Sequence, residues 1–181
     1  MASEKAYREL ASSLARGDTT VSRYFIVQGA ELERYLNELP AKSPLPEVYR
    51  YWTNLRHEDS LPARGDLDPT TMDSRTLPSI VMIDVEDEPQ RRFRYRLVGT
   101  AVGNIFGADY TGRYLDEMGL GDTFARVVAF YSLVCNDPQP ALLKGSYETR
   151  SGLMFDVARL AMPLSDNGSR VDTLFCAVDK I

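Results

Sequence analysis

The stretch RFRYRLVGTAVGNIFG, residues 92–107, changes period halfway along. Phe93, Tyr95 and Leu97 alternate with Arg94, Arg96 and Val98, the two-residue period of a half-buried strand, so one face is oily. Gly99 breaks the run, Thr100 is placed to cap a helix starting at Ala101, and Gly107 suits the left-handed residue that ends one. A strand hands over directly to a short helix, and the rest of the chain is read outward from this point.

Upstream, SIVMIDVED reads as a strand, and an acidic loop with Pro89 joins it to the first half of the stretch as an antiparallel hairpin. Downstream, Thr111 is placed to cap a second short helix carrying Tyr114, Leu115 and Met118. Phe124, Val127, Val128, Tyr131 and Val134 then recur at three and four over a longer helix, residues 122–135. Three strands follow: PALLKGSYETR, LMFDVARLAMPLS and VDTLFCAVDKI, the last two joined by the polar turn SDNGSR. Two strands, several helices and three strands make an α+β fold, with a five-stranded antiparallel sheet and helices on one side.

The N-terminal third differs in style. Tyr7, Leu10, Ala11 and Leu14 predict an amphipathic helix over residues 2–16. VSRYFIVQ, residues 21–28, is compatible with a strand or a buried turn of helix. Leu32, Tyr35, Leu36 and Leu39 mark a helix that Pro40 ends, and Val48, Tyr51, Trp52 and Leu55 mark a third after a linker with Pro44 and Pro46. Tyr51 and Trp52 are the anchors of that third helix on the following domain. Asp68 before Pro69 predicts a short helix or turn. The expected division is a helical extension, 1–44, and a domain, 45–181.

Across 181 residues, 44% hydrophobic and 26% charged, one domain can bury a core of ordinary size. A net charge of −5 argues against nucleic acid as a partner, and no apolar run approaches the roughly 20 residues that span a bilayer. The N-terminus MASEKAYREL is too polar for a secretory signal, so a cytoplasmic protein is expected. Cys135 and Cys176 are far apart and outside any C-x-x-C pattern, which leaves a disulfide framework or zinc site without support. The single histidine, His57, removes multi-histidine metal sites and the usual base of hydrolase chemistry; a single axial histidine suits haem, but His57 sits in the polar run RHED.

The order of elements, carried by LPARGDLDP (61–69), LPSIVMIDV (77–85), FRYRLVGT (93–100), GADYTGRYL (107–115) and MPLS (162–165), resembles a PAS domain of the group forming small stand-alone bacterial proteins. The resemblance implies that residues 92–107 are the second strand of that fold feeding the short helices that wall a ligand cavity. It implies a sensor, in which a small molecule, cofactor or partner shifts a sheet that also serves as an interaction surface. No cofactor is identified. The Asn-Cys-Arg-Phe motif of flavin photosensors of this fold is absent, because Cys135 precedes Asn136 and Asp137, and residues 122–135 hold no histidine for haem.

Seven residues are candidate ligand contacts. Arg94 and Arg96 share a strand face, and a guanidinium pair can clamp a carboxylate or phosphate; alternatively, Arg96 pairs internally with Asp66 or Asp68. Tyr95, Phe124, Tyr131 and Met154 are pocket-lining candidates that also suit plain core. Asp156 and Arg159 interrupt an apolar strand, and an inward Asp156 would need a partner, protein or ligand; its facing inverts with a one-residue change of register.

The expected function is therefore a regulatory module, not an enzyme. It binds a small-molecule ligand or an unidentified regulatory protein, forms a homodimer through the helix around Tyr7, Leu10 and Leu14, and passes its output to another protein, because the chain ends at Ile181 with the last strand. The competing readings are a ligand-free adaptor and a small α+β enzyme using a carboxylate such as Asp156 as base.

Overall fold

In chain order, the computed structural model contains β1 (Tyr24–Gln28), α1 (Gly29–Glu38), α2 (Leu45–Leu55), β2 (Ile80–Glu86), β3 (Arg92–Val98), α3 (Thr100–Phe106), α4 (Asp122–Asn136), β4 (Ala141–Glu148), β5 (Met154–Leu164) and β6 (Thr173–Lys180). Short 3-10 turns cover Arg64–Asp66, Leu77–Ser79 and Leu115–Glu117. The residues described are 24–57, 60–118, 122–148 and 154–181. The helix expected over residues 2–16 lies outside them.

Every strand pairs antiparallel, in the order β1-β4-β5-β6-β2-β3. The sheet has six strands rather than five. The additional one is β1, the segment whose local pattern fitted strand or helix; it is fixed as a strand by pairing Tyr24 with Gly145 and Gln28 with Ala141. A Cβ on Gly145 would stand 2.1 Å from the Tyr24 ring, so the glycine is what lets that ring cross β4.

Helices cover both faces of this sheet, not one. On the first face, Val81, Ile83, Phe93, Tyr95, Val157 and Cys176 pack against Val102 of α3 and Val127, Tyr131 and Val134 of α4. On the second, Ile80, Met82, Leu142, Leu160, Met162 and Phe175 pack against Leu32 and Leu36 of α1 and Leu45, Val48 and Trp52 of α2. The apolar stripes of α1 and α2 were legible in the sequence; the surface they dock on was not. Trp52 is 1% exposed, and burying a side chain of that size contributes about 2–3 kcal/mol. Because β5 lies inside the sheet under two helical layers, its run VARLAMPL is apolar on both faces.

The hand-over at residues 92–107 forms with two shifts. Gly99, not Thr100, is the N-cap of α3, and Thr100 is its first residue. Gly99 donates its N–H to the Ile80 carbonyl at 2.8 Å, and a Cβ there would stand 2.2 Å from the Pro78 carbonyl oxygen. Only glycine fits that approach. Gly107, at φ +76°, ends α3 in the left-handed region as expected. In β3 the register slips between Met82 and Ile83: Ile83 faces Tyr95, Met82 faces Leu97, and Arg96 is the extra residue of a bulge. The bulge inverts the alternation, so Leu97 is 45% exposed and Val98 joins the first-face core in its place.

Thr111 does not cap the second short helix. Its hydroxyl donates to Asp109 at 2.7 Å and accepts the Val98 N–H at 3.2 Å. Tyr95 donates to the Arg113 carbonyl at 2.9 Å and accepts from the Gly112 N–H at 2.6 Å, so the loop over residues 109–114 seals the outer edge of β3. Asp68 makes a turn rather than a helix, accepting from the Thr70 N–H at 2.9 Å.

Candidate functional site

The first sheet face and the helices over it do not close completely. Between them lies a cavity floored by Val81, Tyr95, Val98, Arg159 and Val178 from the sheet, with Tyr147 of β4. Its walls are Val102 and Phe106 of α3, Tyr110 and Met118 of the following loop, and Thr123, Val127 and Tyr131 of α4. The centres of water-sized spheres sweep about 40 Å³ inside it, room for about three waters. Within the hand-over at residues 92–107, Tyr95 and Val98 from the strand and Val102 and Phe106 from the helix stand on one cavity.

Of the seven candidate contacts, the structure brings Tyr95 and Tyr131 together here. Phe124 packs at the margin of the same core without lining the cavity. The other four stand elsewhere. Met154 is 43% exposed, and Met154 and Asp156 share strand parity with Ala158 and Leu160 on the second face. Asp156 accepts from the Ser146 hydroxyl at 2.7 Å, with Lys144 at 3.6 Å. Arg94 and Arg96 also point away from the cavity. Arg94 donates to Asp84 at 2.9 Å and lies 3.4 Å from Glu86, while Arg96 Nε donates to the other Asp84 oxygen at 2.6 Å. Arg96 is therefore in an internal ion pair, but with Asp84 across the hairpin rather than with Asp66 or Asp68.

The inward polar residue of β5 is Arg159, in register with Leu143 and Val178, aliphatic on both sides. Its guanidinium carbon lies 5.7 Å from the ring centroids of both Phe106 and Tyr131. Phe106 in turn stacks edge-on against Tyr147 at 5.0 Å, and Tyr131 packs at a tilt against Phe93 at 5.3 Å. Arg159 Nε is fully enclosed and has no hydrogen-bond partner. Among the described residues no carboxylate lies within ion-pair distance of it.

Arg159, Tyr131 and Tyr95 form one buried electrostatic group, each shifting the titration of its neighbours. Burial pushes the Tyr131 hydroxyl well above the ordinary phenol value, against the pull of Arg159, and raises Tyr95 in the same way. Both phenols are neutral at physiological pH. They can donate to or accept from a bound molecule, but are poor bases. Among the described residues no three His, Cys, Asp or Glu side chains converge as a metal site would require.

Sequence reasoning named Arg159 only as the neighbour of Asp156. The facing could not be decided there, because both parities of β5 are apolar. Tyr110 stands inside GADYTGRYL, one of the segments that carried the family resemblance, and that was the available signal for this residue.

Among solved structures, the chain is similar to an RNA-binding light-oxygen-voltage receptor at 15% identity and TM-score 0.47, with 87% of this chain and 38% of that one covered. It is similar to the PAS domain of BvgS from Bordetella pertussis at 18% identity and TM-score 0.45, covering 57% and 77%. It is also similar to the PAS domain of an HTR-like protein from Haloarcula marismortui at 22% identity and TM-score 0.37, covering 56% and 81%. No curated protein matches. A family model described as PAS domain matches residues 41–178, from the linker before α2 to near the end of β6, and the chain belongs to the PAS domain family.

Proposed function

We propose that this chain is a sensory module that binds a small molecule in the cavity between the first sheet face and α3–α4 and relays its occupancy to a partner protein. The observation that carries the reading is Arg159, a charge set into an otherwise aliphatic and aromatic enclosure beside free space. Such a group is costly unless something pairs with it. Occupancy has a direct mechanical route: Tyr131 belongs to α4, Val102 and Phe106 to α3 and Arg159 to the middle of the sheet, so a molecule touching all three biases how the helices sit. The polar lining consists of neutral phenols, a threonine and a guanidinium, which supports binding rather than turnover. The proposal includes action in the cytoplasm, a functional division between an extension, 1–44, and a sensor, 45–181, and a homodimer formed through residues 2–16.

Native mass spectrometry of freshly purified protein, beside its denatured mass and an absorption spectrum, tests this. A mass lost on denaturation is the expected result, at twice the chain mass for the dimer. A clean apo mass that no added small molecule changes would overturn the ligand reading in favour of the adaptor, and a monomer at all concentrations would remove the dimer.

A further inference from the structure

Arg159 differs from the other arginines tied into the sheet. Arg92, Arg94 and Arg96 are each at least 30% exposed at the side chain, within reach of water, yet each has a carboxylate partner. The Nε atoms of Arg94 and Arg159 are both sealed and without a hydrogen-bond acceptor, but Arg94 has Asp84 and Glu86 beside it, whereas Arg159 has no carboxylate partner among the described residues. A guanidinium keeps its proton at any pH a protein survives, so it cannot relieve burial by becoming neutral. Two aromatic rings at 5.7 Å offset part of that cost, while the Nε–H remains unused.

Arg159 also lines the cavity, and the surroundings restrict what could pair with its charge there. Val81, Val98, Val102 and Val178 present only hydrocarbon to the cavity, and the phenols of Tyr95 and Tyr131 supply neutral donors beside the cation. One fixed positive charge suits one negative charge. A phosphate dianion would be left with an uncompensated charge in this enclosed space. A planar carboxylate matches the guanidinium fork, takes a second donor from a phenol, and leaves a short carbon chain for the valines and Phe106.

We infer that the cavity takes a small monocarboxylate, its carboxylate seated on the Arg159 guanidinium and its apolar part against the valines of β2, β3, α3 and β6. This rests on the ligand-binding reading and adds the class of ligand. Arg159 then acts as the specificity-determining residue: a neutral ligand of the same shape leaves the guanidinium unpaired and binds more weakly.

The test is thermal unfolding and titration calorimetry on the full chain with acetate and propionate, their neutral isosteres acetamide and propionamide, and sodium chloride at matched ionic strength. The expected result is saturable stabilisation by at least one carboxylate, with its amide weaker by about tenfold or more. Arg159→Gln should abolish that preference. If Arg159→Gln does not fold, Arg159→Lys keeps the charge without the fork and should weaken the carboxylate several-fold while leaving the amide unchanged. Equal binding of acid and amide, or a preference that survives Arg159→Gln, would overturn the carboxylate assignment while leaving a ligand-binding cavity in place. No binding by either carboxylate overturns the assignment too, and the ligand reading is then judged separately on the mass lost from the native protein.

Discussion

Trp52 donates its indole N–H to the carbonyl oxygen of Pro163 at 3.1 Å, across the buried contact between α2 and β5. The bond satisfies a carbonyl beneath α2 that has little access to water. Trp52→Phe keeps most of the apolar contact and strands that acceptor. The expected loss is about 1–3 kcal/mol, a drop of several degrees in Tm. Trp52 is the single tryptophan, so the comparison is read by circular dichroism with urea and not by fluorescence.

Asp84 holds two arginines at once, and this makes the network asymmetric. Its side chain is 12% exposed, whereas Arg94 and Arg96 are 40% and 45% exposed. Removing Arg96 leaves Asp84 bound to Arg94 and should cost less than about 1 kcal/mol. Asp84→Ala removes the acceptor for both and should cost about 1–3 kcal/mol. A double-mutant cycle between Asp84 and Arg96 measures the difference; equal losses for the two single variants would contradict the shared arrangement.

Gly99→Ala should be the most damaging alanine substitution in the 92–107 stretch. The new methyl would meet backbone atoms, Pro78 O at 2.2 Å and Ile80 O at 2.9 Å, which cannot rotate aside as a side chain would. The hairpin end and the start of α3 must separate. A destabilisation of about 3 kcal/mol or more is expected in chemical denaturation, against well under 1 kcal/mol for Gly65→Ala, where nothing lies within 4 Å of the added carbon.

Stability should fall on the alkaline side. Burial pushes the Cys135 and Cys176 thiols up to about 12, and raises the Tyr95 and Tyr131 phenols above 10. For each group the folded value exceeds the unfolded one. Its contribution is complete below the unfolded pKa, near 9 for the thiols, and is lost as pH rises from there toward about 12. Urea midpoints measured from pH 7 to 11 should be level at first and then decline. At pH 8 neither thiol should react rapidly with a disulfide reagent until the protein is unfolded.

Elements whose cause is local were legible in the sequence. Gly99 leaves no Cβ where two backbone carbonyls approach, and Gly107 stops α3 in a left-handed conformation that few other residues adopt, so the letters themselves carried both. The bulge at Arg96 carried no such mark, and it moved Leu97 out of the core and Val98 into it. β1 was ambiguous because five residues that pair only with β4 have no local period to declare. The same limit governed the site. Tyr95 and Tyr131 lie on elements with one clear apolar face, but Asp156 and Arg159 lie on a strand buried from both sides, where alternation has no polar face to set its phase. Arg96 was assigned an acid in the preceding loop when its partner stood across the hairpin, a contact set by pairing and not by proximity in sequence.

The strand order also has a consequence for how the protein comes into being. Tyr24 is synthesised 121 residues before Gly145, the partner that fixes β1 in the sheet. At translation rates of 5–20 residues per second, the nascent segment waits roughly 6–24 s with its backbone groups unpaired. Throughout that interval Phe25 and Ile26 are offered to chaperones and to neighbouring chains, and β1 is the segment through which crowding on the ribosome would first divert this protein from its native state.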